Sequence, residues 1–143
     1  MPHRPCIKYR SEPSLSIHRG AFTDDKLVYV ARANRDFRYT RGRSNIGYIG
    51  TTKNGAWRIA SSAAWRGSEL LEKHGVKFLN FHIVTCTPVP GLKSWKKLER
   101  ALLIRFCERY GEPPWSNEQG DGMRWKNEKD YFTETKLDEI IDG

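Results

Sequence analysis

Short apolar runs separated by polar stretches predict three strands in this chain. Residues 26–31 (KLVYVA) are apolar, β-branched and aromatic, and a strand there places Leu27 and Tyr29 on the same face. Residues 45–50 (NIGYIG) and 76–86 (VKFLNFHIVTC) predict the second and third strands. The first two strands follow each other closely along the chain, so we expect them to pair as an antiparallel hairpin.

Two helix patterns follow the second strand. Residues 56–65 (AWRIASSAAW) are compatible with a helix, which we expect Gly67 to interrupt. Residues 68–75 (SELLEKHG) then predict a further short helix that Gly75 closes.

The longest helix is predicted over residues 95–110, with Ser94 as its N-cap and Gly111 at its end. Residues 136–142 (KLDEIID) predict a short amphipathic helix near the C-terminus. The fold class predicted from these elements is α+β, with a small central three-stranded antiparallel sheet flanked by helices.

The length of 143 residues suits one domain. We expect an N-terminal arm at residues 1–25, because this segment mixes proline, serine, histidine and charged residues, then a core at residues 26–117. Residues 118–143 are expected to form a charged C-terminal extension with a short helix.

Charge and cysteine content narrow the class of protein. Lysine and arginine number 25 against 17 acidic residues, a formal charge of +8 that makes a polyanion the leading expected partner. The 3 cysteines are widely spaced without a Cys-x-x-Cys pair, which indicates a reducing, cytoplasmic environment and neither a disulfide framework nor a zinc site. No apolar stretch approaches the roughly 18 residues of a membrane span, so we expect no membrane partner.

The segment between the first two strands, residues 32–45 (RANRDFRYTRGRSN), is rich in arginine. It is expected to be a loop, and Phe37 and Tyr39 are interleaved among its basic residues. The five arginines are Arg32, Arg35, Arg38, Arg41 and Arg43. Because arginine binds phosphates and guanine edges while aromatic rings stack on bases, this segment predicts nucleic-acid binding. The alternative is a basic hairpin that is merely solvated.

The longest predicted helix carries an acid on its apolar face. Helical spacing places Glu99 in the middle of a stripe formed by Trp95, Leu102, Leu103, Phe106 and Tyr110. A buried carboxylate needs a cation or several hydrogen-bond donors to remain ionised. Glu99 is therefore either in a partly buried salt bridge, at a point where the stripe emerges from the core, or a ligand of a metal ion.

Taken in order, several short motifs resemble those of the GIY-YIG nuclease family. Residues 27–29 (LVY) look like its first motif, with Leu-Val in place of Gly-Ile, and residues 48–50 (YIG) match its second. The family's arginine ten residues after the second tyrosine falls on Arg58, its metal-binding glutamate on Glu99, and its asparagine after that helix on Asn117.

The resemblance covers about residues 26 to 117 and includes departures. Lys53 and Asn54 match a frequent Lys-Asn after the second motif, whereas Ser62 stands where members often have histidine or tyrosine. The segment between the motifs is longer than in compact members and is similar to that of restriction endonucleases of the family. The missing histidine or tyrosine leaves an assisting role unfilled.

The resemblance implies a metal-dependent endonuclease that hydrolyses phosphodiester bonds in DNA, with RNA as a further candidate. Glu99 would hold one Mg²⁺ or Mn²⁺ per active site, and Arg58 would bind the non-bridging phosphate oxygens. Tyr29 is the candidate general base and Tyr48 orients water or phosphate, although the two roles could be exchanged. One site cuts one strand, so a double-strand break needs a homodimer or two visits.

The resemblance also implies residues that contact the substrate. Asn117 would position the helix end or the substrate backbone. The remaining candidates for substrate binding are basic: Lys53, Arg35, Arg38, Arg41 and Arg43. Two other functions stay open, a GIY-YIG-fold protein that binds nucleic acid without cleaving it and a basic scaffold protein.

Overall fold

A computed structural model of the chain describes residues 4–13, 16, 25–55, 57–118, 120 and 122–143. The elements in chain order are β1 (Leu27–Tyr39), β2 (Gly42–Thr52), α1 (Trp57–Leu71), β3 (Leu79–Val84), α2 (Ser94–Tyr110) and α3 (Glu134–Asp142). A short 3₁₀ turn, Glu128–Asp130, precedes α3. The predicted α+β class is confirmed. Of the predicted N-terminal arm, residues 1–3, 14, 15 and 17–24 lie outside the described residues.

The strands form one three-stranded antiparallel sheet, as predicted, and their order in it is β2-β1-β3. The central strand β1 carries Tyr29, which lies opposite Gly50 of β2 and Ile83 of β3. The third strand is shorter than the predicted residues 76–86. No helix within the described part of the chain has the length and apolar character needed to cross a membrane.

The arginine-rich segment is not a loop, contrary to the prediction. β1 continues to Tyr39 and β2 begins at Gly42, so the hairpin turns within two residues. Phe37 and Tyr39 alternate with exposed residues and are each 4% exposed, and the Tyr39 hydroxyl donates a hydrogen bond to the Ile46 carbonyl oxygen (2.6 Å). Period-two alternation in which the buried residues are aromatic is a strand pattern, and it outweighs the arginine content.

The segment after β2 forms one helix, contrary to the prediction of two. Gly67 lies inside α1 and does not interrupt it. A Cβ at Gly67 would lie 3.3 Å from Leu79 Cδ1, so the missing side chain lets α1 approach β3 closely. The free energy that glycine costs in a helix is about 1 kcal/mol, which tertiary packing can offset.

The ends of α2 agree with the prediction in part. Gly111 ends the helix in the left-handed conformation (φ 83°), and its N–H donates to the Cys107 carbonyl oxygen (2.8 Å). Ser94 is the first helical residue rather than the N-cap, because Lys93 occupies the cap position and provides no side-chain hydrogen bond. Ser94 therefore does not have the predicted capping role.

The two faces of the sheet contribute to separate apolar clusters. Val28 and Val30 belong to the larger cluster, together with Phe106 of α2 and Ile141 of α3. On the opposite face, Leu27 and Tyr29 belong to a smaller cluster, against which side chains of α1 and β3 pack. The predicted alternation along β1 is confirmed, and the smaller cluster contains the first candidate catalytic residue.

Candidate active site

The two tyrosines of the sequence motifs are neighbours in the smaller cluster. The ring centroids of Tyr29 and Tyr48 are 5.8 Å apart, with the planes inclined at 42°. Their hydroxyl groups are hydrogen-bonded to each other. Phe81 of β3 lies on the other side of Tyr29 (6.3 Å between centroids), and Ile59 of α1 packs against the pair. Side chains of β3 and α1 thus pack around the two phenols.

The two glycines that flank Tyr48 have a steric explanation. A Cβ at Gly50 would lie 2.6 Å from both Tyr29 Cζ and Tyr48 Cε1, closer than packed atoms approach. A Cβ at Gly47 would lie 2.6 Å from Leu70 Cδ1 on α1. Gly50 therefore leaves room for the tyrosine pair, and Gly47 leaves room for the helix that covers β2.

Glu99 lies on α2 and is partly buried. No salt bridge or hydrogen bond joins its carboxylate to any of the described residues, so the predicted salt-bridge alternative is not supported there. Burial raises the pKa of Glu99 to about 7, and the positive charge of Lys96 opposes this shift only in part. The negative charge of Glu99 in turn helps to raise the pKa of Tyr48, which shows that the two groups share one electrostatic environment.

Tyr48 is a poor proton acceptor at neutral pH. Burial, followed by the charge and the hydrogen bond of Tyr29, raises the pKa of Tyr48 to about 12, although Arg66 opposes the shift. Arg66 Cζ lies 5.7 Å from the centroid of the Tyr48 ring, and its Nη1 forms a salt bridge with Glu118 Oε1 (3.1 Å).

Arg66 is not among the site residues predicted from the sequence. It follows Ile59 by seven residues, two turns of α1, and therefore lies on the same face of the helix. Once a single helix across Gly67 is accepted, that spacing alone places Arg66 above the sheet.

Arg58 is exposed in the first turn of α1. Its backbone N–H donates to the Gly55 carbonyl oxygen (3.2 Å), and the next residue, Ile59, packs against the tyrosine pair. Within the described residues its guanidinium forms no hydrogen bond or ion pair, so it is available to an incoming anion. Lys53 is exposed immediately after β2, and the side chain of Ser62 lies outside the described part of the structure.

Asn117 holds the strand that carries Tyr48. Its Oδ1 accepts a hydrogen bond from the Ile49 N–H (3.0 Å), and its Nδ2 donates to the Ile49 carbonyl oxygen (2.8 Å). The adjacent Ser116 N–H donates to the Gly47 carbonyl oxygen (2.9 Å). Because β2 is an edge strand, these bonds occupy backbone groups that the sheet leaves unpaired. The Asn117 amide thus positions the strand.

Three of the five arginines of the hairpin bind backbone carbonyl groups of the protein. Arg41 donates to the Cys107 and Glu108 carbonyl oxygens (3.1 and 2.9 Å) at the C-terminal end of α2. Arg32 donates to two carbonyl oxygens at the end of α3, and Arg35 to that of His74 in the turn after α1. Cations at helix C-termini satisfy unpaired carbonyl groups and complement the helix dipole.

Arg38 and Arg43 lie opposite each other near the hairpin turn and are exposed. The partner of Tyr29 on β2, Gly50, lies seven residues from Arg43, which corresponds to about 23 Å along a strand. These two arginines therefore lie too far from the tyrosine pair to contact the same phosphate.

A single carboxylate such as that of Glu99 is enough for one kind of metal site, in which water and substrate supply the other ligands. Among the described residues, no group of three or more histidine, cysteine, aspartate or glutamate side chains is arranged to bind an ion. Mg²⁺ retains several waters and is commonly bound through one or two carboxylates together with substrate phosphate oxygens. The carboxylate of Glu99, which has no hydrogen bond or ion pair with the part of the chain that the structure describes, fits a site of that kind.

In comparisons with protein-family models, curated proteins and solved structures, nothing matched this chain. The class of protein therefore rests on the residues of the site.

Proposed function

We propose that this chain is a metal-dependent endonuclease of the GIY-YIG type, which hydrolyses phosphodiester bonds in DNA with one active site per chain. The observation that supports this function most strongly is the convergence of three groups. Tyr29 and Tyr48 are hydrogen-bonded neighbours, and the unpaired carboxylate of Glu99 is close enough to influence the titration of Tyr48. A buried carboxylate with a purely structural role would have a hydrogen-bond or ion-pair partner.

Glu99 would hold one Mg²⁺ or Mn²⁺ ion. When bound, such an ion neutralises charge on the phosphate and on the leaving oxygen. The raised pKa of Glu99 is consistent with this role, because burial disfavours the ionised carboxylate until a bound cation compensates for it.

The two phenols take different roles in this proposal. Tyr48, with a pKa of about 12, retains its proton at neutral pH and donates its hydrogen bond to the Tyr29 oxygen. Tyr29 accepts the proton of the attacking water as general base. Arg58, which is exposed and directly precedes Ile59 in α1, binds the non-bridging phosphate oxygens as charge develops.

The substrate and the cellular location are part of the same proposal. The formal charge of +8 favours a polyanion, and one site cuts one strand, so a double-strand break requires two copies or two visits. A cytoplasmic location agrees with the free thiols of Cys6, Cys86 and Cys107.

Nicking of supercoiled plasmid, with Mg²⁺ and with EDTA, tests this function. We expect Mg²⁺-dependent nicking that falls at least about 100-fold in Glu99→Gln and Arg58→Ala, with binding to the plasmid retained. Glu69→Gln is the matched control, because Glu69 is an exposed acid on α1, and it should nick like the wild type. Single-stranded RNA in a parallel reaction distinguishes the two nucleic acids.

Nicking that persists in EDTA or in Glu99→Gln would contradict the proposal. Binding without nicking in the wild type would instead favour a GIY-YIG-fold protein that binds nucleic acid and does not cleave it.

A further inference from the structure

The first turns of α2 carry a row of basic side chains on their outer side. Lys93 at the cap position, Lys96 and Lys97 lie in one turn, since the backbone N–H groups of the latter two both donate to the Lys93 carbonyl oxygen (3.1 and 3.2 Å). Lys93 and Lys96 are exposed, and Lys97 is partly exposed. At about 100° per residue, Arg100 follows on the same side of the helix. The function proposed above does not use these cations.

The segment that precedes α3 adds cations to this side of α2. Arg100 holds the segment through a salt bridge from Nε to Glu128 Oε1 and a hydrogen bond from Nη2 to the Arg124 carbonyl oxygen (both 2.8 Å). Lys97 Nζ likewise donates to Asn127 Oδ1. The two elements thus present one basic surface, which consists of Lys93, Lys96, Lys97, Arg124, Lys126 and Lys129. Within the described residues, none of these six side chains forms a salt bridge.

Acidic side chains do not balance the basic surface. Within residues 93–100 and 122–131, the acids are Glu99, Glu128 and Asp130. Glu128 is 0% exposed and is paired with an arginine of α2 that does not belong to the basic surface. Glu99 is the partly buried acid of the candidate active site, which leaves Asp130 as the exposed acid of these two segments. The basic surface is therefore strongly positive.

The placement of its lysines opposes the stability of the helix. Lys93 and Lys97 are four residues apart, and like charges at that spacing repel each other. The lysines of α2 also lie at its N-terminal end, where the helix dipole is positive and no acid occupies the first turn. In the second half of α2, by contrast, Arg105 and Arg109 form salt bridges with acids of α3. Cations that are placed against local stability indicate that an anion outside the chain balances them.

The type of cation and its surroundings favour a nucleic-acid backbone. A basic stripe along a helix is the usual electrostatic footprint of nucleic-acid binding. Lysine contacts phosphate as a compact point charge, whereas arginine also reads base edges through two hydrogen bonds, and all but Arg124 in the basic surface are lysines. Lys96 connects the surface to the candidate active site, since its charge acts on the Glu99 carboxylate. Nucleic acid held on the basic surface therefore passes close to Glu99.

We propose that the basic surface binds the sugar-phosphate backbone of duplex DNA beside the site of cleavage. The inference rests on the proposed function, because it names the surface by which the nuclease holds its substrate. The first turns of α2 and the segment before α3 contact phosphates, and these contacts do not depend on the base sequence. The hairpin arginines, three of which bind backbone carbonyl groups of the protein, do not belong to this surface.

Binding to a fluorescein-labelled duplex of about 20 base pairs, measured by fluorescence anisotropy in EDTA, tests the inference separately from cleavage. Two double variants remove two cations each, Lys93→Gln/Lys97→Gln from α2 and Arg124→Gln/Lys126→Gln from the segment before α3. We expect each variant to weaken binding by about 10-fold at about 0.1 M NaCl. Each should also lower the slope of log affinity against log salt concentration by about two, because each phosphate contact releases about one counterion.

Arg38→Gln/Arg43→Gln is the matched control, because it removes the same charge from exposed positions near the hairpin turn. It should change the affinity by less than about 2-fold and leave the salt dependence as in the wild type. The thermal midpoint of Lys93→Gln/Lys97→Gln should be equal to or higher than that of the wild type, since the repulsion between the two lysines is removed. Weakened binding by this variant then reflects lost contacts and not unfolding.

Wild-type affinity and salt dependence in both double variants would overturn the inference. An equal loss of affinity in the hairpin control would also overturn it, because binding would then follow net charge alone. Polyglutamate of similar charge serves as a second probe, and equal affinity for polyglutamate and DNA would overturn the choice of DNA. Absence of plasmid nicking together with the expected binding changes would contradict the nuclease function and leave the DNA-binding surface intact.

Discussion

Glu99 illustrates how burial gives one residue unusual chemistry, since its carboxylate has no salt bridge or hydrogen bond with any residue that the structure describes. Its neighbours on α2, among them Leu98 and Leu102, are buried at 3% and 0% exposure, and the carboxylate lies at the edge of this apolar surface. Burial makes ionisation unfavourable and raises the pKa of Glu99 to about 7, and the positive charge of Lys96 offsets this shift only in part. A carboxylate in this condition gains more from a bound cation than a solvated one does.

The raised pKa of Glu99 predicts how stability depends on pH. The folded state holds this proton up to about pH 7, whereas the unfolded chain releases it near 4.5, so the contribution is present below pH 4.5 and is lost as pH rises through 7. Because of this group, the free energy of unfolding of the wild type should fall by about 3 kcal/mol between pH 4.5 and pH 8. We expect Glu99→Gln to lack this decrease. Urea unfolding at both pH values measures it, with Glu69→Gln as control.

Mg²⁺ provides a second measurement for the same variant. At pH 8 the ion should stabilise the wild type and not Glu99→Gln, because only a carboxylate at this position binds it in the folded state. Equal stabilisation of both proteins would place the metal elsewhere.

Among the elements, β2 depends on a segment far away in sequence. It is an edge strand, and Asn117 pairs with both backbone groups of Ile49, next to Tyr48. The side-chain amide thus acts as a short piece of an additional strand. Its contribution is to keep the strand that carries Tyr48 in place.

Removal of this amide has a predictable effect. Asn117→Ala should lower the free energy of unfolding by about 1–3 kcal/mol, because two backbone groups of a partly buried strand lose their partners. Asn127→Ala is the matched control, since Asn127 is exposed and the hydrogen bond that its amide oxygen accepts from Lys97 should contribute less than about 0.5 kcal/mol. Chemical unfolding monitored by tryptophan fluorescence compares them. An Asn117→Ala protein as stable as this control would show that the Asn117 amide does not hold β2 in place.

The sequence predicts elements well where one periodicity dominates. The alternation at residues 26–31 and the glycine stop at Gly111 were sufficient to predict the hairpin and the end of α2. The prediction was wrong where composition was given more importance than periodicity, in the arginine-rich segment that extends β1 to Tyr39. The prediction that Gly67 interrupts the helix was wrong for a different reason. Its place inside α1 depends on a contact with β3 that no local sequence pattern contains.

The same contrast applies to the site. Motif spacing selected Tyr29, Tyr48 and Glu99, which the structure brings into one environment. Spacing could not show that Asn117 pairs with Ile49, because that contact joins residues 68 positions apart. It also could not distinguish arginines that face solvent, such as Arg38, from those that bind helix ends.

In the whole molecule, many of the arginines join elements to one another. Arg105 and Arg109 of α2 form salt bridges with Asp138 of α3, which fixes the C-terminal helix against the longest one. The C-terminal segment also contributes Leu137 and Ile141 to the main apolar cluster. The formal charge of +8 therefore overstates the charge that is free to attract a polyanion. Exposed cations such as Lys93 and Arg58 contribute more to that attraction than the arginines that are paired within the protein.

The most deeply buried of these ion pairs predicts the response of the whole fold to acid. Glu128 is 0% exposed; burial would raise its pKa, but hydrogen bonds from Arg100 (2.8 Å) and from the Lys126 N–H (2.7 Å) outweigh burial and lower it to about 2. A lowered pKa gives stability that is present above about pH 4.5 and is lost as pH falls towards 2.

We therefore expect Glu128→Gln to be less stable than the wild type by about 3 kcal/mol at pH 7, because Arg100 lacks its counter-charge in the variant. The difference should vanish near pH 2, where Glu128 of the wild type also loses its charge. Urea unfolding followed by circular dichroism between pH 2 and pH 7 measures this difference. Glu139→Gln is the control, since its ion pair with Lys136 is exposed and should contribute little. A pH-independent difference would show that Glu128 stabilises the fold through packing and not through its charge.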